Sequence, residues 1–244
     1  MTPTITDDQK RQYRDDGYFL LENVFTSAEM DRVAVLIEGY QRRHEEALAA
    51  QGGTAGISRA GEITFTDHLA EHDPELAAFV KRPEFVAIAT HLLGPDVDLY
   101  WNQSVFKQPE GKREFPWHQD DAYTPVTPSP YLTLWLALND ATPENGCISV
   151  RPGSHKGGLA PHHPSPIGLV CHEADDPDQG VLVPVKAGSM AVFQSLTMHK
   201  SGANTSSGPR KAYVIQYSAA GLRNAKTDEL IPNEIPLARG GKAA

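Results

Sequence analysis

The sequence has 244 residues, with 22 Lys and Arg against 31 Asp and Glu, which gives a net charge of −9 and a pI of about 5.5. This length suits one domain with a sizeable hydrophobic core. An acidic chain without a basic groove repels phosphate backbones, so we expect no nucleic-acid partner.

The N-terminal segment lacks the basic head and apolar core of a signal peptide, and no run of about 18 apolar residues could form a membrane helix. The two cysteines, Cys147 and Cys171, are too few for the disulfide framework of a small secreted domain. These features predict a cytoplasmic protein with reduced thiols and without a membrane partner.

The first fifty residues are predicted to be mainly helical. Residues 7–50 have helical character, interrupted by a short strand in DGYFLLENVF. Thr26 or Ser27 is a plausible N-cap for the longer helix. The apolar residues that recur at helical intervals after this cap are Met30, Val33, Leu36, Ile37 and Tyr40. Their spacing predicts a helix with one face buried.

The composition then changes before a second helical stretch. Residues 51–63 are rich in Gly and Ala, which predicts a mobile loop. A further helix is expected over residues 74–93, and Gly94 with Pro95 ends it. The helical N-terminal part of the chain therefore extends to about residue 95.

From Val97 onward the sequence has the character of short strands. The runs are rich in β-branched and aromatic residues and are separated by Gly, Pro, Asn and Asp. They are VDLYWNQSVFK, YLTLWLALND, CISVRP, GVLVPV, MAVFQS and AYVIQYSAA. Such spacing predicts an antiparallel sandwich or barrel, and not a series of βαβ units.

The stretch FPWHQDD carries the first candidate metal ligands. His118 and Asp120 are two residues apart, so on an extended segment their side chains leave the same face. His199 follows the predicted strand MAVFQS and is the best candidate for a third ligand, because a neighbouring strand could bring it across. Two histidines and one carboxylate on one face of Fe(II) leave three positions open, as in non-haem iron oxygenases. The same side chains would also suit catalytic zinc.

Arg210 follows His199 by eleven residues, with a turn-forming segment between them, so strand pairing could return it towards the metal. A guanidinium can bind a carboxylate through two parallel hydrogen bonds, which an ammonium cannot do. It could therefore bind the far carboxylate of a 2-oxo diacid whose oxo-acid end chelates iron. Ser201, two residues after His199, could donate to the same carboxylate.

Several segments together resemble the phytanoyl-CoA dioxygenase family of Fe(II)- and 2-oxoglutarate-dependent oxygenases. They extend from about Gly17 to Ser218 and are DGYFLLENVF, NQSVFKQPEG with WHQD, LTLWLALNDATPENGCISVRPGSHKGG and HKSGANTSSGPRKAYVIQY. HxD alone is common, whereas HxD, ENGCISVRPGSHK and H-x10-R in this order are specific. The resemblance implies a double-stranded β-helix, that is, a cupin-like jelly roll, which binds Fe(II) and uses 2-oxoglutarate and O2.

The resemblance also implies roles for individual residues. It makes His118, Asp120 and His199 the metal ligands and the catalytic centre. It assigns Arg210 and Ser201 to the distal carboxylate of 2-oxoglutarate.

Four further residues match pocket positions of the family. Thr133 and Trp135 share one face of the strand YLTLWLAL and match positions that line the co-substrate pocket. Gln103 and Lys107, on one face of NQSVFK, also match pocket positions. The resemblance thus predicts a co-substrate pocket built from two strands besides those that carry the metal ligands.

The carboxylate of Asp120 indicates which type of reaction to expect. Family members that halogenate have a small residue in place of the iron-binding carboxylate, whereas this chain has Asp120. The resemblance therefore implies hydroxylation, or a related C–H oxidation, of a small or medium organic molecule with release of succinate and CO2. Two other classes stay open: a catalytically inert jelly-roll binding module, and a zinc hydrolase with the same triad. Arg210 argues against the hydrolase, which has no use for a diacid anchor.

The expected layout is a single domain over residues 1–244. Its helical part covers about residues 1–95, its jelly-roll core about 96–221 and its tail 222–244. The sequence does not determine the oligomeric state.

Two connectors are candidates for covering the site. Residues 51–66 and 156–180 are rich in Gly or Pro and lie before and after the strands that carry the metal ligands. Long connectors of this kind are commonly lids or binding loops. We expect them to influence which substrate reaches the metal.

Overall fold

The structure is a computed structural model that describes residues 3–172, 180–232 and 235–244. Its α-helices are α1 (Asp7–Asp16), α2 (Ser27–Ala50), α3 (Leu69–His72), α4 (Pro74–Val80) and α5 (Pro83–Leu93). Its strands are β1 (Tyr18–Leu21), β2 (Thr54–Ala55), β3 (Ser58–Arg59), β4 (Ile63–Asp67), β5 (Val97–Lys107), β6 (Phe115–His118), β7 (Val126–Thr127), β8 (Leu132–Ala137), β9 (Ile148–Val150), β10 (His163–Ser165), β11 (Gly168–Val170), β12 (Val181–Val183), β13 (Met190–Gln194), β14 (His199–Ser201), β15 (Arg210–Ala219), β16 (Arg223–Asn224), β17 (Pro236–Arg239) and β18 (Lys242–Ala243). Short 3₁₀ helices cover Asp120–Ala122, Pro143–Asn145 and Ser154–Gly157.

Two antiparallel sheets form the body of the molecule. The larger has the strand order β1-β13-β8-β15-β5-β4-β3-β2, and β17 also pairs with β5. The smaller has the order β12-β9-β14-β6. A hydrophobic cluster joins the facing sides of the two sheets, with Trp135 and Val214 from the larger and Phe115 and Ile148 from the smaller. This is the predicted jelly roll, with its helices against the outer face of the larger sheet.

Strand β8 shows why its sequence is almost continuously apolar. All six of its residues are buried, because helices cover one face of the larger sheet and the smaller sheet covers the other. Leu132, Leu134 and Leu136 pack in the cluster that includes the helices. Burying a leucine side chain stabilises the fold by roughly 2 kcal/mol relative to an exposed one. The opposite face, with Thr133 and Trp135, points into the space between the sheets.

Helix α2 begins where the sequence predicts a cap. The Thr26 side chain accepts a hydrogen bond from the Glu29 backbone N–H, and Glu29 accepts in return from the Thr26 N–H. Arg82, which precedes α5, reaches Glu29 at 2.6 Å. The Thr26 N–H and then Arg82 lower the pKa of Glu29 to about 2. The cap therefore also connects α2 to the start of α5.

The structure corrects two of the sequence predictions. Residues 51–63, predicted as a loop, contain β2 and β3 and the first residue of β4, which extend the larger sheet beyond β5. The single helix predicted over residues 74–93 is two helices, α4 and α5. Pro83 causes the break, because its ring disfavours helical backbone at the preceding residue, and Arg82 has extended backbone with ψ 149°.

Elements from both ends of the chain belong to the larger sheet. Strand β1 pairs with β13, β4 pairs with the end of β5, and β17 pairs with the start of β5 on the same edge as β4, because β15 occupies the opposite edge. The predicted helical part therefore also contributes strands to the larger sheet, and the single domain stays a prediction. Within the described part of the chain, no helix has the length and apolar character required to cross a membrane.

Candidate metal centre and adjoining cavities

The three predicted metal ligands come from two neighbouring strands of the smaller sheet. His118 is the last residue of β6, and His199 is the first residue of β14. These strands are antiparallel and place His199 directly opposite His118. Asp120 begins the 3₁₀ helix that follows β6, with Gln119 in extended conformation between the two ligands. The strand pairing thus converts a sequence separation of 81 residues, from 118 to 199, into direct adjacency.

The donor atoms of these residues converge. His118 Nε2 lies 3.7 Å from Asp120 Oδ1, and His199 Nε2 lies 3.5 Å from the same oxygen. One donor atom from each residue can be chosen so that all lie within 4.8 Å of one another. Among the described residues, this is the only group of three or more His, Cys, Asp or Glu residues with such spacing.

The surrounding hydrogen bonds leave the correct atoms available to a cation. Each histidine places its Nδ1 at a backbone carbonyl, His118 at Pro116 O (2.8 Å) and His199 at Thr197 O (3.0 Å). A carbonyl can only accept, so the proton is on Nδ1 and the lone pair of Nε2 faces the shared space.

The aspartate is fixed in a similar way. Asp120 Oδ2 accepts from Thr133 Oγ1 at 2.7 Å and from Gln216 Nε2 at 2.9 Å. The other oxygen, Oδ1, is the atom that faces both histidines. The carboxylate therefore has one oxygen held by the larger sheet and the other directed to the candidate metal position.

Electrostatics also favour metal binding. Burial, and then the charge of the neighbouring His199, hold the pKa of His118 well below its usual range. A neutral imidazole is the form that ligates a metal. Two imidazole nitrogens and one carboxylate oxygen on one side of a site fit Fe(II) with open positions, and they also fit zinc.

A narrow cavity of about 50 Å³ extends from the candidate metal centre between the two sheets. Arg210 lines it together with the predicted residues Ser201, Thr133, Trp135 and Gln103. The remaining wall is mostly apolar, and its residues include Val105, Ile148, Phe193 and Val214. The structure thus brings together the metal triad and five of the six residues predicted to bind the co-substrate.

Arg210 is the most deeply buried charged residue of this cavity, which Asp120 and Lys200 also line. Its side chain is 1% exposed, and its guanidinium carbon lies 5.1 Å from the centre of the Trp135 ring. One terminal nitrogen donates to Val105 O at 3.3 Å, and Nε has no hydrogen-bond partner among the described residues. Burial lowers the pKa of Arg210 to about 10, so the group stays positively charged at neutral pH. A buried cation with an unsatisfied donor fits an anionic ligand.

Lys107 is the predicted pocket residue that does not line the cavity. It is paired with Arg210 across β5 and β15, but its amine turns away and donates to Ser201 Oγ (3.0 Å) and to the Gly202 carbonyl. Burial, followed by the charge of Arg210, holds the pKa of Lys107 well below its usual range. Lys107 thus fixes Ser201 and the end of β14, and its role as a direct co-substrate ligand stays a prediction.

A second, wider cavity of about 270 Å³ lies on the other side of the triad. It shares His118, Asp120, Gln103 and Phe115 with the narrow cavity. Its other lining residues are Ile57, Tyr100, Trp101, Tyr123, Thr124, Tyr131 and Gln216. The candidate metal centre therefore lies where the two cavities meet.

Two residues that the sequence reasoning missed support the triad. Gln216 holds Asp120, and it follows Arg210 by six residues on the same strand, so an even spacing along a strand could have placed it on the same face. Gln119, which is fully buried, donates to Gly158 O and Leu196 O, and its backbone N–H donates to His162 Nε2 at 3.1 Å. No sequence signal distinguishes Gln119 from a residue that merely separates two ligands.

The two predicted covering segments contact the wide cavity in different ways. The first lines it through Ile57, between β2 and β3, whereas the β10–β11 hairpin of the second packs against Tyr123, which lines it. Leu169 of this hairpin donates its N–H to the Tyr123 hydroxyl at 3.2 Å. A Cβ on Gly168 would lie 3.5 Å from Ile57, so the two hairpins meet there. Residues 173–179 of the second segment lie outside the described residues.

Fold and donor set together are those of the cupin-like non-haem iron oxygenases. Residues 13–212 match the family model described as phytanoyl-CoA dioxygenase (PhyH), and the chain belongs to this family. A relative from Stutzerimonas stutzeri, named probable alpha-ketoglutarate-dependent hypophosphite dioxygenase, is 31% identical over 228 residues, covering 87% of this chain and 78% of the relative. The peroxisomal phytanoyl-CoA dioxygenase of Homo sapiens is 26% identical over 233 residues, covering 88% and 69%.

Solved structures share the fold. The carbocyclase SnoK from nogalamycin biosynthesis superposes with a TM-score of 0.73 at 24% identity, covering 96% of both chains. EvdO2 from Micromonospora carbonacea var. aurantiaca, complexed with 2-oxoglutarate, gives a TM-score of 0.72 at 24% identity, covering 94% of this chain and 96% of that one.

These findings confirm the predicted family and the predicted jelly roll. The prediction of Fe(II) and 2-oxoglutarate is confirmed at the level of the family, since one relative is named for its dependence on alpha-ketoglutarate. Family, fold and triad make the chain an oxygenase of the class that depends on Fe(II) and 2-oxoglutarate.

Proposed function

We propose that the protein hydroxylates a C–H bond of a small or medium organic molecule, with conversion of 2-oxoglutarate and O2 to succinate and CO2. The observation that carries the proposal is the position of the triad between two cavities, one of which ends on the buried Arg210. His118, Asp120 and His199 would hold Fe(II). Ser201 and Arg210 would bind the distal carboxylate of the co-substrate.

The balance of the reaction explains the need for two cavities. Bound iron and 2-oxoglutarate supply the activation of O2 by oxidative decarboxylation of the co-substrate. One oxygen atom enters succinate and the other enters the substrate, so that R–H, 2-oxoglutarate and O2 give R–OH, succinate and CO2. The two organic molecules must therefore lie on different sides of one centre, as the two cavities do here.

The residues of the narrow cavity orient the co-substrate. A diacid with one end at the triad needs a cation at its far end, and Arg210 is the buried cation that faces this space. Trp135 packs against the guanidinium, and Lys107 holds Ser201 in place. The apolar remainder of the wall excludes water, which strengthens the interaction between the guanidinium and a carboxylate.

Thr133 and Gln216 are assigned a supporting role. Both donate to Asp120 Oδ2, so they fix the carboxylate orientation and keep its other oxygen directed at the shared position. Groups that hold metal ligands in this way typically affect metal affinity by about 10- to 100-fold.

Hydroxylation is favoured over halogenation because Asp120 occupies the position that a halide would need. The hydrolase alternative is disfavoured by Arg210, for which zinc hydrolysis has no use. An inert binding module would not need Asp120 held by two donors beside two histidines whose Nε2 atoms face it. A cytoplasmic location and the absence of a nucleic-acid partner remain part of the proposal.

The test compares metals and products. Purified protein is freed of metal with a chelator, and Fe(II) or Zn(II) is added with 2-oxoglutarate under air. We expect slow succinate formation and O2 consumption with Fe(II), even without substrate, and neither with Zn(II). Succinate formation that does not depend on Fe(II), or that persists in Arg210→Ala at low 2-oxoglutarate, would contradict the proposal.

A further inference from the structure

The walls of the wide cavity are aromatic. Tyr100, Trp101, Tyr123, Tyr131 and Phe115 all line it. Tyr100 and Tyr131 pack edge to face, with ring centres 4.8 Å apart. A cavity of about 150 Å³ holds benzene. The volume of about 270 Å³ therefore accommodates a compact molecule of one or two rings.

The same walls carry no cationic side chain. Neither Lys nor Arg is among the described residues that line the wide cavity, and Asp120 is its acidic residue. Arg59, two residues from Ile57, points its guanidinium at the carbonyls of Gly56 and Ser58, at 2.8 and 2.7 Å. An anion entering this cavity would lose its hydration without gaining a counter-charge from these walls.

Apart from Asp120, the polar groups that line the cavity are uncharged amides, hydroxyls and an indole N–H, together with His118. The hydroxyl of Tyr123 accepts the Leu169 N–H, the Gln103 carbonyl accepts from Trp101 Nε1 at 3.3 Å, and Gln216 donates to Asp120. Amides and phenols of this kind can hydrogen-bond a hydroxyl, an amide or an ammonium group of a ligand. The negative faces of aromatic rings attract cations and disfavour anions.

We propose that the substrate is a compact, non-anionic molecule of one or two rings' volume, either uncharged or cationic, whose apolar part lies against the tyrosines. The proposal rests on the proposed function, since the wide cavity is the substrate side only if the narrow one takes 2-oxoglutarate. The proposed substrate differs in charge from the compounds in the names of two relatives: hypophosphite is an anion, and phytanoyl-CoA carries phosphates.

The test uses three probes of matched size and different charge: cyclohexylmethanol, cyclohexylmethylammonium and cyclohexanecarboxylate. Titration calorimetry under nitrogen measures their affinity for the protein loaded with Mn(II) and 2-oxoglutarate, so that the narrow cavity is filled. Binding of Mn(II) and 2-oxoglutarate is measured first. Failure at that step would contradict the proposed function, whereas success there isolates the substrate inference.

We expect the alcohol and the ammonium to bind at least about tenfold more tightly than the carboxylate. Ile57→Lys places a cation at the cavity mouth and should improve carboxylate binding severalfold, because it supplies the missing counter-charge. Val35→Lys, which adds the same charge at an exposed position on α2, is the matched control and should change nothing. Carboxylate binding as tight as that of the alcohol in the parent protein, or no binding of any probe, would overturn the inference.

Discussion

The two cavities that meet at the candidate metal centre differ in their walls although they share three strands. Strands β5, β6 and β15 each contribute residues to both cavities, for example Val214 of β15 to the narrow one and Gln216 of β15 to the wide one. The narrow cavity ends on a buried guanidinium. The wide cavity has aromatic walls and is bordered by hairpins.

The two cavities differ in how freely their walls can change. The walls of the narrow cavity come almost entirely from paired strands of the two sheets, which hold side chains within small tolerances. The wall of the wide cavity includes Ile57, in the β2–β3 connection, and Tyr123, which the β10–β11 hairpin contacts; these connections can change without disturbing the longer strands. The narrow cavity would suit a co-substrate that stays the same, and the wide cavity would suit a substrate that varies.

Removal of a candidate metal ligand should abolish turnover, which depends on both cavities. In His118→Ala, Asp120→Ala and His199→Ala we expect Fe(II)-dependent succinate formation to fall by more than about 100-fold, because each removes one of three protein ligands. Circular dichroism should show that the fold is kept. His91→Ala, at an exposed position on α5, is the matched control. Activity near the parent level in any of the three variants would refute the assigned triad.

Thr133→Val tests the support of Asp120 from the larger sheet. Valine keeps the shape of threonine but loses the donor to Asp120 Oδ2, so we expect Fe(II) affinity to fall by about 10-fold or more. Metal titration measures the effect, and Thr127→Val on the exposed end of β7 serves as the control. Unchanged affinity would mean that Gln216 alone is sufficient to orient the carboxylate.

Arg210→Lys should affect the narrow cavity alone. The ammonium keeps the charge but loses the planar fork, so the KM for 2-oxoglutarate should rise by about tenfold. Cyclohexylmethanol binding to the protein saturated with 2-oxoglutarate should be unchanged. Arg223→Lys, at an exposed position, is the control. A KM equal to that of the parent would move the anchor to another residue, with Lys107 the first to test.

Gly168→Ala should affect the wide cavity alone, with the smallest effect. Gly168 has a φ of 125°, and a Cβ there would lie 2.6 Å from the Tyr123 hydroxyl, so the hairpin must shift. We expect cyclohexylmethanol to bind about fivefold more weakly, which corresponds to roughly 1 kcal/mol of backbone strain. Gly157→Ala, which meets no neighbouring atom, is the control. A matching rise in the KM for 2-oxoglutarate would show that the hairpin supports both cavities.

Much of the fold could be predicted because its signals are local. Capping residues and helical spacing gave α2, and alternating or continuous apolar runs gave β5, β8, β13 and β15. The break at Pro83 has a local signal too, in the restriction that proline places on the residue before it, but apolar spacing on both sides hid it. The short strands β2 and β3 had no local signal, because β3 exists only through pairing with β4, and β2 only through pairing with β3.

The site was predicted to a similar extent. The HxD spacing and the positions of His199 and Arg210 along the sequence were sufficient to select residues that are adjacent in the structure. Lys107 shows the limit of this reasoning. It was predicted as a pocket residue, and its backbone lies beside Arg210, but its amine turns to Ser201 and the Gly202 carbonyl, which accept its hydrogen bonds in a buried position.

The sequence by itself determined the residue types of the candidate metal centre and of the proposed diacid anchor, and also the sandwich of short strands, because these follow from ligand chemistry and from the period of each element. Only the tertiary structure decided which side chains line each cavity, where the charged groups of the cavity lie, and how large the cavity is. Those properties arise from contacts between residues far apart in the chain. His199 faces His118 because antiparallel pairing joins β14 to β6, and Gln216 meets Asp120 because the larger sheet faces the smaller one.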